Sequence, residues 1–123
     1  MALRLAVVDD WEADRTLLMD GLRCYLQRRQ VAAEIVCYQS GEAFLADFAP
    51  GKFTVVFLDI YMEGLDGMAV ARRIRKVDQN CLLVFITSSR DHAIEGFEVR
   101  AFHYLLKPYS PQRLQAVLDC CFE

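Results

Sequence analysis

Apolar runs along this chain each stop abruptly at a polar residue, and the stops are its most informative positions. Leu3 to Val8 is apolar apart from Arg4 and ends at Asp9-Asp10. Phe53-Thr54-Val55-Val56-Phe57-Leu58 is apolar and β-branched and ends at Asp59. Leu82 to Ile86 ends at Thr87, and Phe102 to Leu106 ends at Lys107-Pro108. Short continuous apolar runs with such boundaries read as buried strands. The pattern predicts strands near 3–8, 33–38, 53–58, 82–87 and 102–106. Between them the period becomes helical, near 12–29, 41–48, 67–77, 91–98 and 111–122.

The first helix presents Leu17, Leu18, Gly21, Leu22, Tyr25 and Leu26 on one face, with Arg15, Asp20, Arg23, Gln27 and Arg28 on the other. Ser40 and Asp66 are N-cap candidates for the second and third helices. Ser110-Pro111 reads as N-cap and first turn of the last, where the missing proline N–H costs nothing. Leu114, Val117, Leu118 and Cys121 then form its buried stripe. Strictly alternating strands and helices imply an α/β fold with a parallel sheet covered on both faces. Right-handed crossovers restrict its topology. The first, third and fourth strands are the most continuously apolar and belong at the centre. Ala33-Glu34-Ile35-Val36-Cys37-Tyr38 is mixed and fits an edge. The expected architecture is a doubly wound, flavodoxin-like (βα)5 sheet of order 2-1-3-4-5. Its switch point lies between strands 1 and 3, where ligands bind beyond the strands' carboxyl ends.

At 123 residues the chain fits one domain, read as 1–123. An apolar share of 54 % with 25 % charged residues suits a well-cored globular protein. No apolar stretch is long enough to span a bilayer, and the start lacks the cleavage site of a signal peptide. A net charge of -3 without a basic block argues against direct nucleic-acid binding by this domain. Cys24, Cys37, Cys81, Cys120 and Cys121 fit neither a zinc site nor a redox pair. They read as reduced thiols of a cytoplasmic protein, with Cys120-Cys121 the pair most open to oxidation.

The predicted sheet edge gathers Asp9, Asp10 and Asp59. Three close carboxylates repel, and protonation or a cation relieves this. Magnesium suits them, since it takes oxygen ligands, keeps waters and commonly uses one or two carboxylates plus a phosphate. Asp10 and Asp59 are the expected direct ligands, Asp9 acts through water, and the backbone carbonyl of Tyr61 completes the set. A carboxylate can also attack a phosphoryl donor to form an acyl phosphate, with charge neutralisation the main catalytic need. Asp59 is the candidate nucleophile. Lys107 supplies a point charge and Thr87 a short hydroxyl donor, with Ser88 leaving room beside it. Singly, each residue is as well explained as a turn, cap or surface position. Jointly, each at the end of its strand, they point to phosphoacceptor chemistry.

The set Val7-Val8-Asp9-Asp10, Phe57-Leu58-Asp59-Ile60, Asp66-Gly67, Thr87-Ser88 and Tyr104-Leu105-Leu106-Lys107-Pro108 resembles the receiver domain of two-component response regulators, over the whole chain. The resemblance implies phosphotransfer from a sensor histidine kinase to Asp59, a magnesium requirement and a cis Lys107–Pro108 peptide. It implies no separate enzymatic activity, only catalysis of the domain's own phosphorylation and dephosphorylation. It also implies a switch in which Thr87 moves toward the phosphoryl group and Tyr104 turns inward. The readout surface would be helix 4, strand 5 and helix 5, where phosphorylation is expected to drive homodimerisation through Phe97, Val99 and Tyr109. On periodicity alone, Phe97 and Val99 are equally well read as core.

The stretch Ala93 to Tyr109 looks like LytTR-class receivers, which usually precede a LytTR-type DNA-binding domain that regulates transcription. No such domain follows within these residues, which suggests an excised receiver over a standalone one. Two departures stand out. Glu63 replaces the usual proline of the loop after Asp59, suggesting a looser loop. Tyr61 is positioned to overhang the phosphoryl pocket, with Ser89 facing it. Trp11 is expected beside the pocket. His92 and His103 lack metal-like partners. Rival readings are a degenerate receiver that only binds, a flavin binder and an aspartyl-phosphate phosphatase. The first conflicts with the complete site set. The second needs a Ser/Thr/Gly-rich loop where Asp9-Asp10-Trp11-Glu12 stands, and the third an acid at Tyr61.

Overall fold

Alternate residues of the central strands face opposite layers of helices, which is why these strands are apolar along their whole length. The computed structural model describes residues 3–122. It comprises β1 (Leu3–Val8), α1 (Glu12–Arg29), β2 (Ala33–Tyr38), α2 (Gly41–Asp47) and β3 (Val55–Leu58). Then follow α3 (Gly67–Val77), β4 (Leu82–Thr87), α4 (Ala93–Glu98), β5 (His103–Leu106) and α5 (Pro111–Cys121). The five strands form one parallel sheet of order β2-β1-β3-β4-β5, as the sequence predicts.

Leu5, Val7, Val55, Phe57, Val84 and Ile86 face α1 and α5. Ala6, Val8, Val56, Leu58, Leu83 and Phe85 face α2 and α3. An aromatic group of Tyr38, Phe44, Phe48 and Phe53 closes the second core at the β2 edge. Ser40, Asp66 and Ser110 cap their helices, accepting from the amides of Ala43, Ala69 and Arg113.

Several limits differ from the sequence reading. β3 starts at Val55 rather than Phe53, although the Thr54 amide still donates to Arg4 O at 2.8 Å. Phe53 is drawn out of the ladder into the aromatic group. α4 starts at Ala93, because the Asp91 amide bonds to Ser89 Oγ and holds 89–91 as a turn. β5, α2 and α5 shorten by a residue at one end. Leu17 leaves the predicted buried face of α1 and is exposed, because α5 packs against the Leu18, Leu22 and Tyr25 side. All five cysteines are free; Cys120 is exposed, and burial pushes the Cys121 thiol up to about 12.

Candidate functional site

The last ladder bonds of the sheet run into the polar stops and fix their backbones. The Asp9 amide donates to Tyr38 O at 3.2 Å, the Asp59 amide to Val8 O at 3.0 Å and the Lys107 amide to Thr87 O at 2.7 Å. Parallel register with Val8 beside Leu58 therefore brings Asp9 and Asp10 level with Asp59 at the switch point. Carboxylate oxygens of Asp9, Asp10 and Asp59 lie within 4.8 Å of one another. Gly67 lets the following loop return over the site, since a Cβ there would sit 2.1 Å from Asp59 O.

Lys107 reaches into this cluster. Its Nζ donates to Asp9 Oδ2 at 3.0 Å, Asp59 Oδ2 at 3.2 Å and Asp14 Oδ2 at 2.7 Å. Asp59 is 6 % exposed, and burial raises its carboxyl from the ordinary value to about 6. The Lys107 charge pulls it down and the Asp9 charge pushes it up. Burial opposes the Lys107 charge, but the Asp14 hydrogen bond and the Asp59 and Asp9 carboxylates outweigh it and raise this ammonium above its usual range.

The free oxygens suit a hard cation. Both Asp9 oxygens are engaged, one by Lys107 and one by the Trp11 amide at 3.0 Å. Asp10 accepts from the Glu63 amide through Oδ2 at 3.0 Å, and its Oδ1 is buried without a partner. Asp59 Oδ1 has only the Tyr61 amide at 3.3 Å among its hydrogen bonds. A buried, unpaired carboxylate oxygen beside a second nearly free one is a donor set short of a cation. The Thr87 hydroxyl at the end of β4 is also buried and unpartnered.

The surrounding positions are partly as expected. Tyr104 is half-buried and donates its hydroxyl to Ser89 O at 2.5 Å. Tyr61 is exposed and packs edge-on against His92, 5.5 Å between rings, along a groove with Asp10 and Glu63. The Ser89 hydroxyl accepts from the Asp91 amide in its own turn. Trp11 is exposed at the lip of a groove with Asp10 and Glu63. His92 stands at the N-cap position of α4 instead of lying within it, with Nδ1 2.7 Å from Glu95 Oε1. On the expected output face, Phe97 is 85 % and Ile94 80 % exposed, but Val99 is buried in the α3-side core. Val99 is therefore not a free contact of that face, whereas Tyr109 is half-buried and lines a groove with Ala93, Tyr104, Leu106 and Arg113.

Two residues escaped the sequence reading. Asp14 binds Lys107, and its signal was its place one turn after Asp10. Arg75 is buried and donates to Val99 O at 2.7 Å, Cys81 O at 2.8 Å and Arg100 O at 3.1 Å. Its signal was helical spacing from Met68 and Ala71 on the apolar stripe of α3.

A doubly wound sheet with carboxylates and a lysine at its switch point defines an α/β protein with an acidic, cation-suited site. The family model for the response regulator receiver domain matches residues 5–119, and the chain belongs to that family, the phosphorelay signalling modules of two-component systems. It is 39 % identical over 109 residues to a response regulatory protein of Vibrio cholerae, covering 88 % of this chain and 41 % of the relative. It is 32 % identical over 116 residues to the sensory transduction protein LytT of Bacillus subtilis, covering 94 % and 46 %. The response regulatory domain of MrkE from Klebsiella pneumoniae superposes with a TM-score of 0.87 at 29 % identity, covering 98 % of this chain and 95 % of that one. TrrA of Thermotoga maritima, solved in complex with magnesium and beryllium fluoride, superposes with a TM-score of 0.81 at 27 % identity, covering 97 % and 98 %. The chain spans less than half the length of the curated relatives it matches. Among the described residues, no helix is long and apolar enough to cross a membrane.

Proposed function

We propose that Asp59 is the phosphoacceptor of this receiver, taking a phosphoryl group from a sensor histidine kinase. The carrying observation is a buried carboxylate, raised toward neutrality, 3.2 Å from a lysine and level with two further acids. Asp59 attacks phosphorus while the bond to the donor's imidazole nitrogen breaks, leaving an acyl phosphate on Asp59. Lys107 balances the added charge. Thr87, whose hydroxyl is buried and unpaired, donates to a phosphoryl oxygen. Asp10, Asp59 and the Tyr61 carbonyl would hold magnesium, with Asp9 acting through water because both of its oxygens are engaged. The cation supplies charge neutralisation at the phosphoryl oxygens.

The output reading follows from the same site. When Thr87 moves toward the phosphoryl group, Tyr104 exchanges its Ser89 bond for the vacated space, and α4, β5 and α5 shift. The exposed Phe97 and Ile94 on α4 support homodimerisation through this face. Relatives such as LytT support an output domain of the LytTR DNA-binding type, regulating transcription from the cytoplasm. Acetyl phosphate with magnesium should add one phosphoryl mass to the wild-type domain and none to Asp59→Asn, by intact mass spectrometry. An unlabelled wild type, or an Asp59→Asn variant that labels equally, would overturn the reading and favour a binding module that is not phosphorylated.

A further inference from the structure

We propose that Asp14 is a positioning residue that restrains Lys107: it holds the ammonium in the unphosphorylated domain and gives it up when Asp59 is phosphorylated. This rests on the reading of Asp59 as phosphoacceptor. A lysine ammonium has three N–H donors and no acceptor. All three are already matched, by Asp9, Asp59 and Asp14, with the shortest contact, 2.7 Å, to Asp14. To reach a phosphoryl oxygen, Lys107 has to release one of them.

Exposure decides which bond gives way. The Asp14 side chain is 38 % exposed, against 9 % for Asp9 and 7 % for Asp59. Water can replace the lysine at Asp14, whereas releasing Asp9 strands a buried carboxylate, and Asp59 is itself part of the reacting group that Lys107 has to stay beside. Asp14 is also not one of the three clustered acids, so it contributes its charge to Lys107 without joining the cation's donor set. A cavity of about 140 Å3 lined by Asp14, Leu17, Ile86, Pro108 and Tyr109 leaves the Lys107 stem room to move. The fold makes the contact specific. Asp14 stands in the first turn of α1, and Lys107 directly follows β5, so the pair ties the helix of the first β-α unit to the last strand. A third carboxylate facing one ammonium thus withholds positive charge that an arriving phosphoryl group needs, and raises the donor concentration required.

Asp14→Asn keeps the size and removes the charge. In magnesium buffer it should bind beryllium fluoride about fivefold tighter than wild type by calorimetry. Its labelling by acetyl phosphate should half-saturate at a correspondingly lower donor concentration, with the maximal rate little changed. Asp14→Glu, which restores the charge, should lie closer to wild type than to Asp14→Asn. Thermal melts check that both variants fold. If wild type labels and binds beryllium fluoride but Asp14→Asn binds no tighter, or Asp14→Glu matches Asp14→Asn, the restraint is refuted while the acceptor reading stands. If wild type neither labels nor binds beryllium fluoride, both readings fall together.

Discussion

Asp59 bears its negative charge against the grain of its surroundings. Burial raises its carboxyl to about 6 from an ordinary value of 3.8, and Lys107 offsets this only in part. A carboxyl raised on folding stabilises the domain in its protonated form. That contribution is complete below about 3.8 and is lost as pH rises through about 6. A neutral isostere should therefore help most where the native group is ionised. In metal-free buffer at pH 7.5, Asp59→Asn should stabilise the domain by on the order of 2 kcal/mol, and the gain should shrink toward zero near pH 4. Urea denaturation across that range checks it, and a gain independent of pH would point to packing instead of charge. Glu63 shows the same close accounting. A proline in its place would lack the N–H, but Glu63 donates one to Asp10 Oδ2, so the departure ties the loop to the site instead of loosening it.

At the scale of elements, α4 is the least anchored helix. It has six residues, and Gly96 is the buried one among them. Arg75 on α3 holds its far end by donating to the carbonyls of Val99 and Arg100, and ties it to the start of β4 through Cys81 O; Arg72 on α3 bonds Glu95 at 2.7 Å. Arg75→Leu would leave the buried Val99 and Cys81 carbonyls without this donor. It should cost about 3 kcal/mol or more by urea denaturation, and a loss below about 1 kcal/mol would mean that water replaces the guanidinium. The same elements show what was readable in sequence. Strand order followed from which apolar runs are most continuous, because both faces of a central parallel strand must be covered. Asp9, Asp10, Asp59, Thr87 and Lys107 were placed at one edge by that logic alone. Leu17 was misplaced because a helical period identifies a stripe but not which edge of it the neighbouring helix covers. Arg75 was missed because charge was taken to mean exposure, although its spacing lay on the buried stripe. Phe53 and the turn at 89–91 shifted element limits through tertiary packing and a side-chain cap, which local pattern does not carry.

For the whole molecule, the proposed output runs from the acidic site to the exposed apolar side chains of α4 through the elements that link them. β4 carries Thr87 at the site, Tyr104 on β5 reaches back to Ser89 O, and α4 presents Ile94 and Phe97 to solvent. Two large apolar side chains at i, i+3 on a short helix, each at least 80 % exposed, are costly unless a partner covers them in some state. On the proposed reading, added charge at Asp59 would bias the packing of α4, and mass action between domains would supply the second state. Wild type with magnesium and beryllium fluoride should sediment as a dimer at concentrations where the unloaded domain is a monomer. Phe97→Asp places a charge on that face. It should remain monomeric when loaded, yet accept a phosphoryl group from acetyl phosphate at the wild-type rate, because Phe97 is 85 % exposed on α4 and is not one of the proposed site residues. A loaded wild type that stays monomeric, or a Phe97→Asp variant that dimerises equally well, would move the output away from α4 and leave its exposed side chains to a different partner.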